Sequence, residues 1–134
     1  RLSPPLLGQI VAEASIEAPR SYAINTYEQY IERRNCLVDE LNKLAGVYSP
    51  IPMGAFYTVA RLPIDDSDNF CEWCLTDFEY EGETIMMAPA SGFYSEEGYG
   101  KNEVRIAYAI DKQDLKRAIF LLGKALEQYP GRVR

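Results

Sequence analysis

Asn102-Glu103-Val104-Arg105-Ile106-Ala107-Tyr108 decides how this chain is read. It is a run of β-formers that leads at once to a helix signal at Asp111. Side chains alternate across a strand, so Val104, Ile106 and Tyr108 share one face, and Arg105, Ala107 and Ala109 the other. The arginine thus shares its face with small residues, which leave room in front of it. A planar, permanently charged guanidinium with that room suits a bidentate carboxylate. On position alone the ordinary reading ranks first: a surface strand arginine, since charged residues are mostly exposed.

Downstream, the spacing predicts a helix capped by Asp111. Leu115, Ala118, Ile119, Leu122, Ala125, Leu126 and Tyr129 form its apolar stripe, and Tyr129-Pro130-Gly131 ends it. Upstream, residues 89–102 read as a long glycine-bearing loop, and Thr84 to Ala88 as a strand. Asp65, Asp66, Ser67 and Asp68 offer caps to a helix that buries Phe70, Cys71, Cys74, Leu75 and Phe78. Ala55 to Leu62 reads as a strand, Pro50 to Gly54 as a turn, and Val47 to Ser49 as a short strand. A long helix is predicted from about Tyr22 to Leu44, roughly 35 Å in length. Its buried side is Ile24, Tyr27, Ile31, Val38 and Leu41, and Gly46 closes it. A first helix starts at Ser3-Pro4, carries Leu6, Leu7, Ile10, Val11 and Ala14 on one face, and stops at Pro19. The order α, α, β, β, α, β, β, α predicts one α+β domain over residues 1–134. Residues 1–44 form a helical connector. Residues 45–134 form a core in which helices cover one face of a small, mainly antiparallel sheet.

Composition narrows the function. A length of 134 residues suits one domain, and 47% hydrophobic with 25% charged residues is ordinary for a globular chain. A net charge of −6 argues against nucleic acid as a partner. No apolar run approaches a membrane span, and no signal peptide is expected. A start at Arg1 rather than Met is what a fragment or a processed product would show. Histidine is absent, which removes the commonest general base and most catalytic zinc sites. Cys71-Glu72-Trp73-Cys74 matches C-x-x-C, but it lies in an amphipathic helical pattern with no second cysteine pair. Core packing is the preferred reading over redox or metal chemistry, with a reduced, cytoplasmic setting. At least one of Arg33 and Arg34 is read as part of a solvated face near Glu28 and Glu32.

Four segments carry a family resemblance. Tyr30-Ile31-Glu32-Arg33-Arg34-Asn35 resembles a Tyr-x-x-Arg-Arg-Asp stretch, with Asn35 in place of the acid. Pro52-Met53-Gly54-Ala55-Phe56-Tyr57 resembles a Pro-x-Gly-x-Phe-Tyr turn into a strand. Met86 to Tyr94 is similar to a strand and loop written Pro-Gly-x-x-Phe-Gly, here with Ala90 after the proline and Tyr94 after the Phe. Gly100 to Tyr108 is similar to an arginine-bearing strand. In this order and spacing they resemble the C-terminal, small domain of a fold-type I, class I/II aminotransferase of the aspartate-aminotransferase-like group.

The resemblance implies a role for Arg105, the grip on a substrate α-carboxylate. It implies that Phe93 and Tyr94 line the mouth of the substrate cleft, although ordinary loop packing stands beside that reading. Gly54 reads as a structural turn that needs an unusual φ or close packing. The resemblance also implies pyridoxal phosphate in a full-length parent, with amino-acid and 2-oxo-acid substrates, a large cofactor-binding domain and a homodimer. No catalytic, cofactor-binding or metal residue is expected in this chain. Lys43, Lys101, Lys112, Lys116 and Lys124 all lack the family's Ser-x-x-Lys setting, and all but Lys101 fall on predicted helices. Alternatives are a ligand-sensing aminotransferase-like domain of a transcription regulator, a non-catalytic amino-acid-binding module, or another enzyme of this fold such as a carbon–sulfur lyase.

Overall fold

The computed structural model describes residues 3–133; Arg1, Leu2 and Arg134 lie outside it. The chain runs α1 (Leu6–Ile16), α2 (Arg20–Leu41), β1 (Tyr57–Arg61), α3 (Ser67–Thr76), β2 (Ala88–Pro89), a 3-10 turn (Ser91–Phe93), β3 (Glu103–Ala107) and α4 (Lys112–Gln128). The strands form one antiparallel sheet in the order β1-β3-β2. The architecture is therefore α+β, with the arginine strand at its centre.

The apolar face of β3 explains the layering. Val104 and Tyr108 are buried beneath the sheet with Thr58 and Ala60 of β1. They pack on Leu37 and Leu41 of α2 and on Leu115, Ile119 and Leu122 of α4. The α4 stripe is buried as its spacing predicts, apart from half-buried Ala118, and Leu121 joins the buried set. Asp111 caps α4, its carboxylate accepting from the N–H groups of Gln113 and Asp114. Asp66 does the same for α3 through Asp68 and Asn69. Phe70, Cys71 and Cys74 are buried, whereas Leu75 is 56% exposed and turns away from the core. Burial pushes the Cys71 and Cys74 thiols up to about 11 and about 12, so both stay protonated, as core residues do.

Some predicted elements come out differently. Thr84 to Met87 alternates in burial but forms no ladder; only Ala88–Pro89 pairs with β3. Continuing that register would pair residues 84–87 with 106–109. Ile106 and Ala107 pair with β1 alone, and past them Ala109 gives its carbonyl to Arg33. The predicted strand Val47 to Ser49 is reduced to one bridge between Tyr48 and Arg61. The Asn42 side chain takes both the N–H and the C=O of Ser49 (2.8 and 2.9 Å), leaving it none for a strand. Ser3 does not cap α1, whose N-cap position is Pro5. In α2 the buried residues are Leu37, Val38 and Leu41; Ile24 and Tyr27 are exposed and Ile31 is half-buried. The helix stops at Leu41, so Lys43 lies beyond it.

Candidate functional site

Register fixes which residues stand on the open face of the sheet. Val59 and Ala88 flank Arg105 across the two ladders, Tyr57 faces Ala107, and Arg61 faces Glu103. Directly opposed residues project to the same side. One open face therefore carries Tyr57, Val59, Arg61, Glu103, Arg105, Ala107 and Ala88. Arg105 is exposed there, with small Ala107 and Ala88 around it.

The guanidinium is positioned by rings. Its carbon lies 5.2 Å from the Tyr57 ring centroid and 4.9 Å from that of Phe93. A cation near an aromatic face is attracted by the ring quadrupole, by about 0.5–1 kcal/mol at exposed sites. Among the described residues Arg105 makes no ion pair, and its donors are available to a ligand. Phe93 comes from the 3-10 turn, so the predicted loop residue does reach Arg105. Tyr94 does not; its hydroxyl donates to Glu103 Oε2 at 2.5 Å, and its ring stands 6.0 Å from that of Tyr99. That hydrogen bond holds the Tyr94 phenol above its ordinary pKa. Tyr57 escaped the sequence reading. The signal was present: in a strand from Ala55 to Leu62, Tyr57, Val59 and Arg61 share a face.

Gly54 lies in the bend before β1, but its backbone is not left-handed and an added Cβ would meet open space. The left-handed residue is its neighbour, Ala55, at φ 62°. The turn is pinned from the sheet, since Tyr108 O–H donates to the Ala55 carbonyl at 3.0 Å. Arg33 and Arg34 are not a merely solvated pair. Arg33 donates to the Ala109 carbonyl at 2.8 Å and Arg34 to that of Pro52 at 3.3 Å. They tie α2 to the end of β3 and to the Gly54 turn. A separate apolar groove of about 370 Å³ lies between Ile85, Met87, Ile106, Leu115 and Ile119, and Arg105 does not line it.

Among the described residues no lysine is set up to form a Schiff base with pyridoxal phosphate. Lys43, Lys112 and Lys124 are ion-paired with Glu40, Glu32 and Glu127, and the hydrogen bonds in those pairs raise the lysine pKa values. A lysine that forms a Schiff base needs the opposite shift. Lys101 and Lys116 are exposed. Among the described residues no group of three or more His, Cys, Asp or Glu is arranged to hold a metal ion. No described helix is long and apolar enough to cross a membrane.

Known proteins similar to this chain are aminotransferases. No protein-family model matches the chain. It is 33% identical to an aspartate aminotransferase of Pyrococcus horikoshii, over 90% of this chain and 31% of the relative. It is 27% identical to an aspartate aminotransferase of Rhizobium meliloti, over 93% of this chain and 31% of the relative. The alanine aminotransferase from Pyrococcus furiosus superposes with a TM-score of 0.78 at 25% identity, covering 96% of this chain and 32% of that one. An aminotransferase from Mycobacterium tuberculosis superposes with a TM-score of 0.74 at 30% identity, covering 92% and 31%. The chain thus spans about a third of the length of the curated relatives it matches. The fold is thus like that of about a third of an aminotransferase chain. Over nearly its whole length the chain is similar to about a third of an aspartate aminotransferase.

Proposed function

We propose that this domain supplies the substrate α-carboxylate grip of a pyridoxal-phosphate-dependent transaminase, and that Arg105 is the grip. The observation that carries the reading is a guanidinium without an acidic partner among the described residues, held near two aromatic rings on an open sheet face. Its fork can donate two parallel hydrogen bonds to one carboxylate, which fixes orientation as well as position. Phe93, and Tyr57 beside it, form the wall of that site. Amino acids and 2-oxo acids are the ligands this chemistry fits.

The amino-transfer chemistry belongs to the cofactor and to a large domain that binds it. This chain's part is to hold the carboxylate and to close. A carboxylate gripped here while its amino group is engaged on the large domain bridges the two, so ligand binding favours closure and excludes water. The segment that carries α1 and α2 is read as the connector between them. The parent is read as a cytoplasmic homodimer.

Arg105→Ala in the full-length protein tests the assignment. Removing one partner of a charge-assisted pair should lower kcat/KM for aspartate by about a hundredfold. Arg105→Lys keeps the charge, loses the fork, and should fall in between. Unchanged catalytic efficiency in Arg105→Ala would overturn the reading.

A further inference from the structure

Glu103 and Arg105 stand on the same face of β3, two residues apart. At about 3.4 Å per residue their Cα atoms are roughly 7 Å apart, within reach of two long side chains of opposite charge. Left to itself, Glu103 is the nearest competitor on β3 for the guanidinium that a ligand carboxylate needs. That pair is not made. Tyr94 O–H donates to Glu103 Oε2 instead, while Arg105 lies against the rings of Phe93 and Tyr57. Phe93 and Tyr94 are consecutive. One residue of the loop covers the cation and the next detains the anion.

The loop is built to hold this arrangement. Ala90 N–H donates to the Glu103 carbonyl at 2.9 Å, and Glu103 N–H donates to the Gly100 carbonyl at 3.0 Å. Gly100 is left-handed, at φ 72°, and a Cβ there would lie 2.7 Å from both the Ala90 carbonyl oxygen and the Tyr94 ring. Only glycine lets the chain close so tightly over Tyr94.

We infer that Tyr94 is a positioning residue for the carboxylate site: its hydroxyl holds Glu103 away from Arg105 and so keeps the guanidinium free for an incoming carboxylate. This rests on the reading of Arg105 as the grip, and adds to it a competitor and the group that restrains the competitor.

The test uses the full-length protein and the variants Tyr94→Phe, Glu103→Gln and the double variant. KM and kcat are measured for aspartate, and the Kd of succinate, a non-reacting dicarboxylate, by calorimetry. Tyr94→Phe keeps the ring and frees Glu103, so KM and Kd should rise about three- to tenfold while kcat changes much less. Glu103→Gln keeps an acceptor for the phenol and removes the competing charge, so affinity should equal or exceed that of the unmodified protein. The double variant should regain the affinity lost in Tyr94→Phe, because the competitor is gone. A double variant as weak as Tyr94→Phe would reduce Tyr94 to loop packing and overturn the inference. So would a Tyr94→Phe variant with unaltered affinity. Arg105→Lys in the same assays separates the two levels. If it binds succinate normally, the carboxylate grip itself fails; if it binds weakly while Tyr94→Phe binds normally, only the role of Tyr94 fails.

Discussion

A guanidinium on an open sheet face can be satisfied by water, by a carboxylate or by an aromatic ring. Arg105 has the third, with Tyr57 at 5.2 Å and Phe93 at 4.9 Å. The choice matters because a ring restrains the fork without consuming its donors. Phe93→Leu keeps apolar volume and removes the π-face. The loss of about 0.5–1 kcal/mol of restraint should raise KM for an amino-acid substrate about two- to fivefold with kcat nearly unchanged. Steady-state kinetics checks it, and an unaltered KM would show that Phe93 is only a neighbour. At this scale the sequence was informative about Arg105, because period-2 alternation assigns a face directly. It did not foresee that Phe93 reaches Arg105 and Tyr94 does not, for one reason: alternation says nothing of how a loop folds back. Glu103 captures Tyr94 through a hydrogen bond that no local pattern announces.

Among the elements, α4 was the most legible, since it carries both a cap and a sustained stripe. The cap has a pH signature. The Asp111 carboxylate accepts from the backbone N–H groups of Asp114 and Gln113, which hold it below its ordinary value of 3.8. A depressed folded pKa means that the stabilisation is fully present above the unfolded value. It is lost as pH falls through the lower, folded one. Between about pH 5 and pH 2 the first turn of α4 should therefore loosen. Asp111→Asn keeps an acceptor that does not titrate, so its melting temperature should depend less on pH in that window. Thermal melts followed by circular dichroism read this directly, and parallel curves for the two proteins would count against it. The segment from Thr84 to Met87 was legible only in part. Its alternation is real, with Ile85 buried and Met86 exposed. A ladder also needs a partner, and Ile106 and Ala107 bond to β1 alone, while Ala109 beyond the strand is bonded by Arg33. Long-range hydrogen bonds of this kind decide strand ends, and they leave no mark in a local window.

The whole molecule divides unevenly. The buried core involves α2 only from Leu37 onward, whereas α1 has no buried residue. Leu6, Leu7, Ile10 and Val11 form the stripe read from the sequence, yet they are 70, 76, 53 and 68% exposed. The stripe was legible; the absence of a partner for it among the described residues was not, because a pattern reports which side of a helix seeks cover and not where the cover lies. An isolated helix shorter than about 12–15 residues is marginal in water, and α1 has 11 residues. In a dilute solution of the 134-residue chain, the amides of α1 should exchange with solvent at nearly unprotected rates, while those of β3 and α4 exchange orders of magnitude more slowly. An exposed apolar stripe also favours association. Protection across α1 should therefore grow as the chain is concentrated and two copies cover each other's stripes, and Ile10→Lys should abolish that growth. Hydrogen exchange followed by mass spectrometry over a concentration series tests both halves of the argument. Strong protection of α1 at the lowest concentration would mean that the helix is stabilised within one molecule. Protection that stays low at every concentration would mean that the stripe does not bring two copies together.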